Sequence, residues 1–321
     1  MTRNDNPAAP GAVVFAYHNV GVRCLSVLLH YKVRVGLVVT HRDNPNENIW
    51  FGSVAALAAR HGIPVITPDD PNTPEVLAQV KAVAPDFLFS FYYRNMLKKP
   101  LLDTPKRGAY NMHGSLLPKY RGRVPVNWAV IHGETETGAT LHAMNEKPDN
   151  GALVSQQAVP ILINDTAQEV FDKVTVAAEM ALHKVLPALI VGRAPHQGQD
   201  LSQGAYFGGR KPEDGRIDWT WNAVRIHNFV RALTRPYPGA FADVKERRIV
   251  LWRTRLGEGP APALHGLGAR LGLEGTDEHS AVVLACADGS WLTVTEIDLA
   301  GQPATPAGFA AAFGGTVVQL A

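Results

Sequence analysis

Short runs of β-branched and aromatic residues alternate with helical stretches through the first 190 residues, and this alternation constrains the fold more than any other feature. Such runs predict strands at residues 12–17, 33–40, 64–67 and 87–93. Apolar residues at helical spacing predict helices at residues 52–61 and 74–83. Strands that follow one another through helices form parallel sheets, because a parallel partner requires a crossover connection. The sequence therefore predicts an α/β domain with a Rossmann-like parallel sheet.

The pattern changes after residue 200, and this predicts a second, smaller domain. A long helix is expected from Thr166, where Glu169 completes a capping box, up to Gly192. The segment 192–204 is rich in Gly and Gln and is interpreted as an interdomain linker. A helix at 223–233 then precedes β-like runs at 248–252, 281–285 and 291–297. These runs favour an OB-like β-barrel, which gives domains 1–200 and 201–321.

Charge and cysteine content exclude several classes of protein. The 31 basic and 29 acidic residues leave a net charge of +2, and residues 201–321 hold 12 of each sign. Neither half predicts an electrostatic surface for nucleic acid. The two cysteines, Cys24 and Cys286, give neither a disulfide framework nor metal-ligand spacing, so no metal is expected. Without a run of 18 apolar residues or an apolar leader, we expect no membrane insertion and a cytoplasmic protein.

The common glycine-rich and nucleophile motifs are missing from the sequence. There is no phosphate-binding loop, no HExxH zinc motif and no GxSxG elbow. After the first predicted strand, residues 17–21 contain one glycine, Gly21, which is too few for a dinucleotide fingerprint. NAD is therefore not expected as a cofactor.

The segment 110–128, YNMHGSLLPKYRGRVPVNW, contains the residues most suited to catalysis. Asn111 and His113 are two residues apart, so on an extended chain both side chains point to one face. An amide donor beside an imidazole suits a developing oxyanion and a proton transfer, although a buried structural histidine has the same spacing. Asp149, in a downstream turn, would raise the pKa of His113 and orient its ring if the two met. An Asp-Asn-Gly sequence is also a common simple turn.

These residues carry a resemblance that spans both predicted domains. The chain resembles the folate-dependent formyltransferases, which share Asn-x-His-x-Ser-x-Leu-Pro, here 111–118, and a downstream Asp-x-Gly, here 149–151. Segments 15–18, 40–45, 89–94 and 113–123 look most like one branch of that family. That branch is the formyltransferase domain of bifunctional polymyxin-resistance enzymes, which formylates UDP-4-amino-4-deoxy-L-arabinose in lipid A modification. Its fused dehydrogenase half has no counterpart in these 321 residues, so only formyl transfer is expected.

The resemblance implies N10-formyltetrahydrofolate as co-substrate and a nucleotide-linked amino sugar as acceptor. It implies catalysis by Asn111, His113 and Asp149. It places the folate against Asn95, Met96, Leu97, Arg123, Asn145, Glu146, Lys147, Pro148 and Asp149. Weaker expectations for the sugar nucleotide are Tyr17, His18, Asn19 and Arg210.

Three other functions remain open at this point. Methionyl-tRNA formyltransferase uses the same donor and catalytic residues, but the balanced charge of residues 201–321 argues against a tRNA surface. Another UDP- or dTDP-linked amino sugar is a second possible acceptor. A non-catalytic module that binds folate or sugar nucleotides is a third reading. The oligomeric state is not predicted.

Overall fold

The computed structural model describes residues 9–45, 49–262, 264, 268–274, 281–314 and 317–320. These residues form two compact units. The N-terminal unit contains residues 1–125, 136–159 and 171–207, and the C-terminal unit contains 126–135, 160–170 and 208–321. The C-terminal unit thus includes two short segments, 126–135 and 160–170, that precede its main part in the chain.

In chain order, the helices and strands up to residue 207 are β1 (Gly11–Ala16), α1 (His18–His30), β2 (Arg34–Val39), α2 (Val54–Arg60), β3 (Val65–Ile66), α3 (Pro74–Val83), β4 (Phe87–Phe91), α4 (Lys99–Leu102), β5 (Ala109–His113), β6 (Arg121–Gly122), α5 (Pro125–Ile131), β7 (Glu136–Ala143), β8 (Leu153–Pro160), α6 (Ala167–Ile190) and β9 (Tyr206–Phe207). The remainder comprises α7 (Ala223–Leu233), β10 (Ala240–Val244), β11 (Arg247–Leu256), β12 (Arg270–Glu274), β13 (Ala281–Ala285), β14 (Trp291–Leu299), β15 (Gln302–Pro303), α8 (Pro306–Phe313) and β16 (Val317–Gln319).

The N-terminal unit is built on a seven-stranded sheet with the order β3-β2-β1-β4-β5-β7-β8. Strands β1 to β5 of this sheet are parallel, and β7 pairs with β5 in the antiparallel direction. Every residue of β1 and β4 is buried, as expected of strands covered on both faces. The predicted Rossmann-like fold is confirmed, and the carboxyl ends of β1, β4 and β5 lie side by side.

Helix α1 follows β1 directly and was not predicted. Its N-cap residue, Tyr17, makes no capping hydrogen bond through its side chain, so the sequence carries no start signal. Gly21 lies within this helix, where an added Cβ would come within 2.9 Å of a Val54 methyl and 3.1 Å of the Ala16 Cβ. The glycine after the first strand thus permits close packing of α1 against its neighbours.

The predicted capping box at the start of α6 is confirmed. The Thr166 hydroxyl accepts from the Glu169 N–H at 3.2 Å, and the Glu169 carboxylate accepts from the Thr166 N–H at 2.7 Å. The helix continues to Ile190 with Pro187 inside its last turn. None of the described helices combines the length and the apolarity needed to cross a membrane.

The interpretation of residues 192–204 as a linker is wrong. Residues up to 207 belong to the N-terminal unit, and Gln197 forms two backbone hydrogen bonds with Leu153 at the start of β8. An added Cβ at Gly204 would lie 1.9 Å from the Pro118 carbonyl oxygen. Polar and glycine-rich composition marks a segment without regular structure, but it does not distinguish a free linker from one fixed by backbone contacts.

The C-terminal unit contains a curled antiparallel sheet with the order β10-β11-β14-β13-β12-β16, and β15 pairs with β14. Its pairings are all antiparallel. The predicted β-barrel-like class is confirmed as a half-barrel. Strand β12, helix α8 and strand β16 were not predicted.

A glycine in the loop between β7 and β8 offers a test of this packing. A Cβ added at Gly151 would lie 1.9 Å from the Ala143 carbonyl oxygen, so Gly151→Ala should displace the loop. We expect the free energy of unfolding in urea to fall by about 2 kcal/mol, typical of overpacking. Gly198→Ala is the matched control, since nothing lies within 4 Å of its added Cβ. Equal stability of the two variants would contradict this packing.

Candidate active site

Strand β5 presents Asn111 and His113 at its carboxyl end. Asn111 is paired with His142 of β7, and His113 is paired with Thr140. Because side chains alternate along a strand, Asn111, His113 and the partners opposite them face the same side of the sheet. The predicted extended geometry of these two residues is therefore confirmed.

Asp149 reaches the end of β5 from the loop between β7 and β8. One carboxylate oxygen, Oδ1, lies 3.5 Å from His113 Nδ1, and the other, Oδ2, accepts from the Gly122 N–H at 2.8 Å. The backbone of Asp149 is left-handed, with φ of +52°. Gln199 holds this turn by donating to the carbonyl oxygens of Asp149 at 3.1 Å and Gly151 at 2.6 Å. Segment 192–204 thus contributes to placing the carboxylate.

The second ring nitrogen of His113 is held by the turn that follows β5. His113 Nε2 lies 2.8 Å from the Tyr120 carbonyl oxygen, which assigns a proton to Nε2. The Ser115 hydroxyl donates to the Lys119 carbonyl at 2.6 Å, and the Thr140 hydroxyl donates to the Ser115 carbonyl at 2.6 Å. Both nitrogens of this buried ring therefore face oxygen acceptors.

His142 contacts both Asn111 and Asp149 and is not among the residues predicted from the sequence. Its Nδ1 donates to the Ala143 carbonyl at 2.8 Å, and this leaves Nε2 to accept from the Asn111 side-chain amide at 3.2 Å. The same Nε2 lies 3.5 Å from Asp149 Oδ1. One signal was available in the sequence, because the β-like run at residues 138–144 indicates a strand, on which His142 and Thr140 face the same side.

Burial and neighbouring charge shift the pKa values of His113 and Asp149 in opposite directions. Burial lowers the pKa of His113, and attraction to Asp149 only partly offsets it. Asp149 does raise the pKa of this histidine, as expected, but desolvation of the imidazolium is the larger effect, so the net shift is downward. For Asp149, burial opposes ionisation, but the nearby imidazoles of His113 and His142 and the hydrogen bond from the Gly122 N–H together lower its pKa to about 2.

The lowered pKa of Asp149 predicts a specific loss of stability in acid. Its ordinary pKa is 3.8, so its contribution to stability is complete above that pH and is lost as the pH falls toward about 2. Between pH 5 and pH 2, we expect the free energy of unfolding of the parent to fall by about 2 kcal/mol more than that of Asp149→Asn, measured by urea unfolding. The exposed Asp69→Asn variant is the control and should follow the parent. Parallel profiles for the parent and Asp149→Asn would contradict the assignment.

The predicted folate residues after β4 occupy three different environments. The Asn95 amide donates to the Asp69 carbonyl at 3.0 Å, and the Met96 side chain is exposed. Leu97 is 4% exposed and packs in the core cluster with β1, β2 and α3 residues. Any contact that Leu97 makes with a ligand is thus expected to involve its backbone. A folate role for these three residues stays a prediction.

The other predicted folate residues lie on exposed chain beside the Asp149 turn. Asn145 accepts from the Lys147 N–H at 2.9 Å, and the side chains of Glu146, Lys147 and Pro148 are exposed. The Arg123 side chain is exposed, and its N–H donates to the Phe207 carbonyl at 2.9 Å. These positions leave side chains free to meet a ligand, which stays a prediction.

The predicted acceptor residues after β1 form part of an aromatic cluster. His18 packs against four rings, with its centroid 3.9 Å from Phe51, 4.7 Å from Trp50, 5.0 Å from Phe171 and 5.3 Å from Tyr92. Two of these rings, Trp50 and Tyr92, are partly exposed. Neighbouring Tyr17 donates to Asp43 at 2.8 Å, and Asn19 accepts from the Gly52 N–H at 2.8 Å.

Arg210 belongs to the C-terminal unit. Its guanidinium lies 4.9 Å from the centroid of Trp128 and 5.5 Å from that of Phe229, and it donates to the Asp214 carbonyl. Burial lowers the pKa of this arginine, with Asp214 opposing the shift. Its side chain therefore packs on two rings, and its role toward a sugar nucleotide stays a prediction. Across the described residues, no group of His, Cys, Asp and Glu could hold a metal ion.

Comparison with known proteins identifies the family. Residues 27–186 match the formyl transferase family, and residues 210–313 match the formyl transferase C-terminal domain. The chain is a formyltransferase. Both matched regions carry the elements described above, including β5, the Asp149 turn and the C-terminal sheet.

The fold of this formyltransferase is similar to those of several solved structures. The N-formyltransferase from Helicobacter canadensis, in complex with folinic acid and dTDP-3-aminofucose, matches with a TM-score of 0.68 and 21% identity, covering 92% of this chain and 100% of that one. The sugar 3N-formyl transferase WlaRD matches with a TM-score of 0.67 and 19% identity, covering 88% of this chain and 96% of that one. A likely sugar N-formyltransferase from Mycobacterium tuberculosis matches with a TM-score of 0.58 and 17% identity, covering 74% of this chain and 93% of that one.

Proposed function

We propose that this formyltransferase moves the formyl group of N10-formyltetrahydrofolate to the amine of a nucleotide-linked amino sugar, with UDP-4-amino-4-deoxy-L-arabinose as the acceptor. The observation that carries the proposal is the meeting of Asn111, His113 and Asp149 at the carboxyl end of β5. Two similar folds support the coarser substrate class, since their structures contain a folate with dTDP-3-aminofucose or with dTDP. The arabinose-derived acceptor rests on the sequence resemblance of segments 15–18, 40–45, 89–94 and 113–123.

The chemistry begins with attack of the neutral amine on the formyl carbon. A new C–N bond forms, and the carbonyl electron pair moves to oxygen, giving a tetrahedral oxyanion. The Asn111 amide donates one of its hydrogens to His142, so the other hydrogen is available to the oxyanion. A preorganised donor of this kind typically accounts for about a hundredfold in rate.

His113 suits the accompanying proton transfer. Its lowered pKa keeps the ring neutral and able to accept a proton at pH 7. Once protonated, the imidazolium would face Asp149 at Nδ1 and the Tyr120 carbonyl at Nε2, so both N–H groups are stabilised. The proton then passes to N10 as the C–N10 bond breaks and tetrahydrofolate leaves.

The aromatic cluster around His18 supports an acceptor with a flat base. It begins at the carboxyl end of β1 and includes Tyr92 after β4, and both strands lie on the same side of β5. Ligands of open α/β sheets bind outside the carboxyl ends of the strands. Two strand spacings of about 4.8 Å separate β1 from β5, so a ligand spanning about 10 Å would bridge Tyr17, His18 and Asn19 to the catalytic residues.

The direct test combines purified protein with N10-formyltetrahydrofolate and UDP-4-amino-4-deoxy-L-arabinose. We expect release of tetrahydrofolate, followed by absorbance, and a sugar nucleotide heavier by one CO unit in mass spectrometry. dTDP-linked amino sugars and initiator methionyl-tRNA form parallel arms. Turnover with the tRNA alone would overturn the proposal, and turnover with a dTDP sugar alone would overturn the arabinose-derived acceptor.

A catalytic role is separated from simple binding in the same assay. His113→Ala should lower kcat about a thousandfold, the range of a lost acid–base group. His183→Ala replaces an exposed histidine on α6 and should leave kcat unchanged. If His113→Ala turned over as fast as the parent, the assignment of His113 would be wrong.

His142 is expected to position Asn111. His142→Ala removes the acceptor that orients the amide, and we expect kcat to fall about tenfold to a hundredfold. His142→Gln keeps a side-chain acceptor and should recover part of this loss. Steady-state kinetics with both variants measures the effect, with urea unfolding as the check on stability. Equal kcat for His142→Ala and the parent would exclude this positioning role.

A further inference from the structure

The C-terminal unit contains a cavity of about 390 Å³ that lies apart in sequence from every residue assigned to catalysis. Its walls come from the segment before α6, from α7, and from the paired strands β11 and β14. The lining residues are Asn164, Thr166, His227, Arg231, Trp252, Arg253, Thr254, Arg255, Thr295 and Glu296. A volume of this size is within the range of small-molecule sites.

Two compensating bulges create the floor of the cavity. Leu251 pairs with Ile297, Arg253 with Glu296, and Thr254 with Val294. Trp252 is therefore an extra residue on β11, and Thr295 is an extra residue on β14. Bulges redirect side chains and are frequent beside functional sites. Here both extra residues line the cavity, together with Arg253, Thr254 and Arg255 of β11.

The wall opposite this floor is fixed by buried hydrogen bonds. Arg231 is 6% exposed, and its Nε donates to Asn228 at 2.9 Å while Nη1 donates to the carbonyls of Leu162 at 3.2 Å and Asp165 at 2.7 Å. His227 lies between the Ile163 carbonyl and the Thr254 hydroxyl, each 2.8 Å from a ring nitrogen. A wall held in this way is preorganised, which reduces the entropy lost on binding.

The uncommitted charged groups of the lining are hydrogen-bond donors. The one carboxylate of the lining, that of Glu296, already forms ion pairs with Arg253 at 3.4 Å and with Arg235 at 3.1 Å. Among the described residues, Arg255 has no ion-pair partner, and the buried Trp252 indole N–H has no acceptor. Arg231 Nη2 takes part in none of the hydrogen bonds named above. Three guanidinium groups against one carboxylate leave the cavity cationic.

We propose that this cavity binds a phosphate ester with a sugar-sized body. Arg255 and Arg231 Nη2 supply charge-assisted donors to phosphate oxygens, and the Trp252 N–H and Thr295 hydroxyl supply neutral ones. A carboxylate offers two oxygens to these groups, whereas a phosphate ester offers three terminal oxygens. The remaining volume of the cavity suits the attached sugar. The site is separate from the formyl-transfer residues, so it holds whether or not the proposed acceptor is right.

Binding is tested on the full chain with ribose 5-phosphate, inorganic phosphate and ribose as probes in isothermal titration calorimetry. We expect ribose 5-phosphate to bind the parent more tightly than inorganic phosphate, and ribose alone not to bind. Arg255→Ala should weaken ribose 5-phosphate binding about tenfold or more, as expected for a lost charge-assisted hydrogen bond. Trp252→Phe should weaken it by a smaller factor.

Arg247→Ala is the matched control, because Arg247 is an exposed arginine of the same strand outside the cavity. It removes the same charge and should bind ribose 5-phosphate as the parent does. Absence of binding to the parent, or equal weakening by Arg247→Ala and Arg255→Ala, would overturn the site. Equal affinity for inorganic phosphate and ribose 5-phosphate would overturn the proposal that the ligand is a phosphate ester. Urea unfolding of both variants confirms that a loss of binding is not a loss of fold.

Discussion

The hydrogen bond from the Gly122 N–H to the Asp149 carboxylate is the contact on which the geometry of the candidate active site depends. It joins the turn after β5 to the turn after β7, and each turn contributes a separate part of the site. From the first turn, the Tyr120 carbonyl holds one side of the His113 ring. From the second, Asp149 faces the other side of the ring. An added Cβ at Gly122 would lie 2.2 Å from the Phe207 carbonyl oxygen, so the donor occupies a position that only glycine fits.

The electrostatics of the site follow from how deeply these groups are buried. A buried imidazole prefers to be neutral, and a carboxylate that accepts a backbone hydrogen bond and lies beside two imidazoles prefers to be ionised. His113 and Asp149 shift in these two directions. At rest, His113 is therefore a neutral base beside the negative charge of Asp149. Their electrostatic interaction becomes most favourable when His113 accepts a proton. That property suits a reaction in which an amine must lose a proton as it is acylated.

Much of the fold could be predicted because its signals are local. Buried β-branched runs identified β1, β2 and β4, and the Thr166–Glu169 pair identified the start of α6. Helix α1 was missed, because its first turn has no side-chain cap and its packing depends on Gly21 contacting Ala16 and Val54. Within the site, Asn111 and His113 could be found from spacing, whereas His142 and Gln199 could not be placed. Their roles arise from strand pairing and from a loop contact across 50 residues, which periodicity does not encode. The direction of the His113 pKa shift depended on burial, which the sequence did not quantify.

The paired bulges in β11 and β14 have a consequence for how this domain can vary. Each strand gains one residue, so the two insertions cancel and the strands regain their register at Thr254 and Val294. The rest of the sheet therefore pairs as if no insertion were present. Substitutions at Trp252 and Thr295 can then alter the floor of the cavity without shifting the strands on either side. The floor of the proposed binding cavity can therefore change while the surrounding sheet keeps its hydrogen bonds.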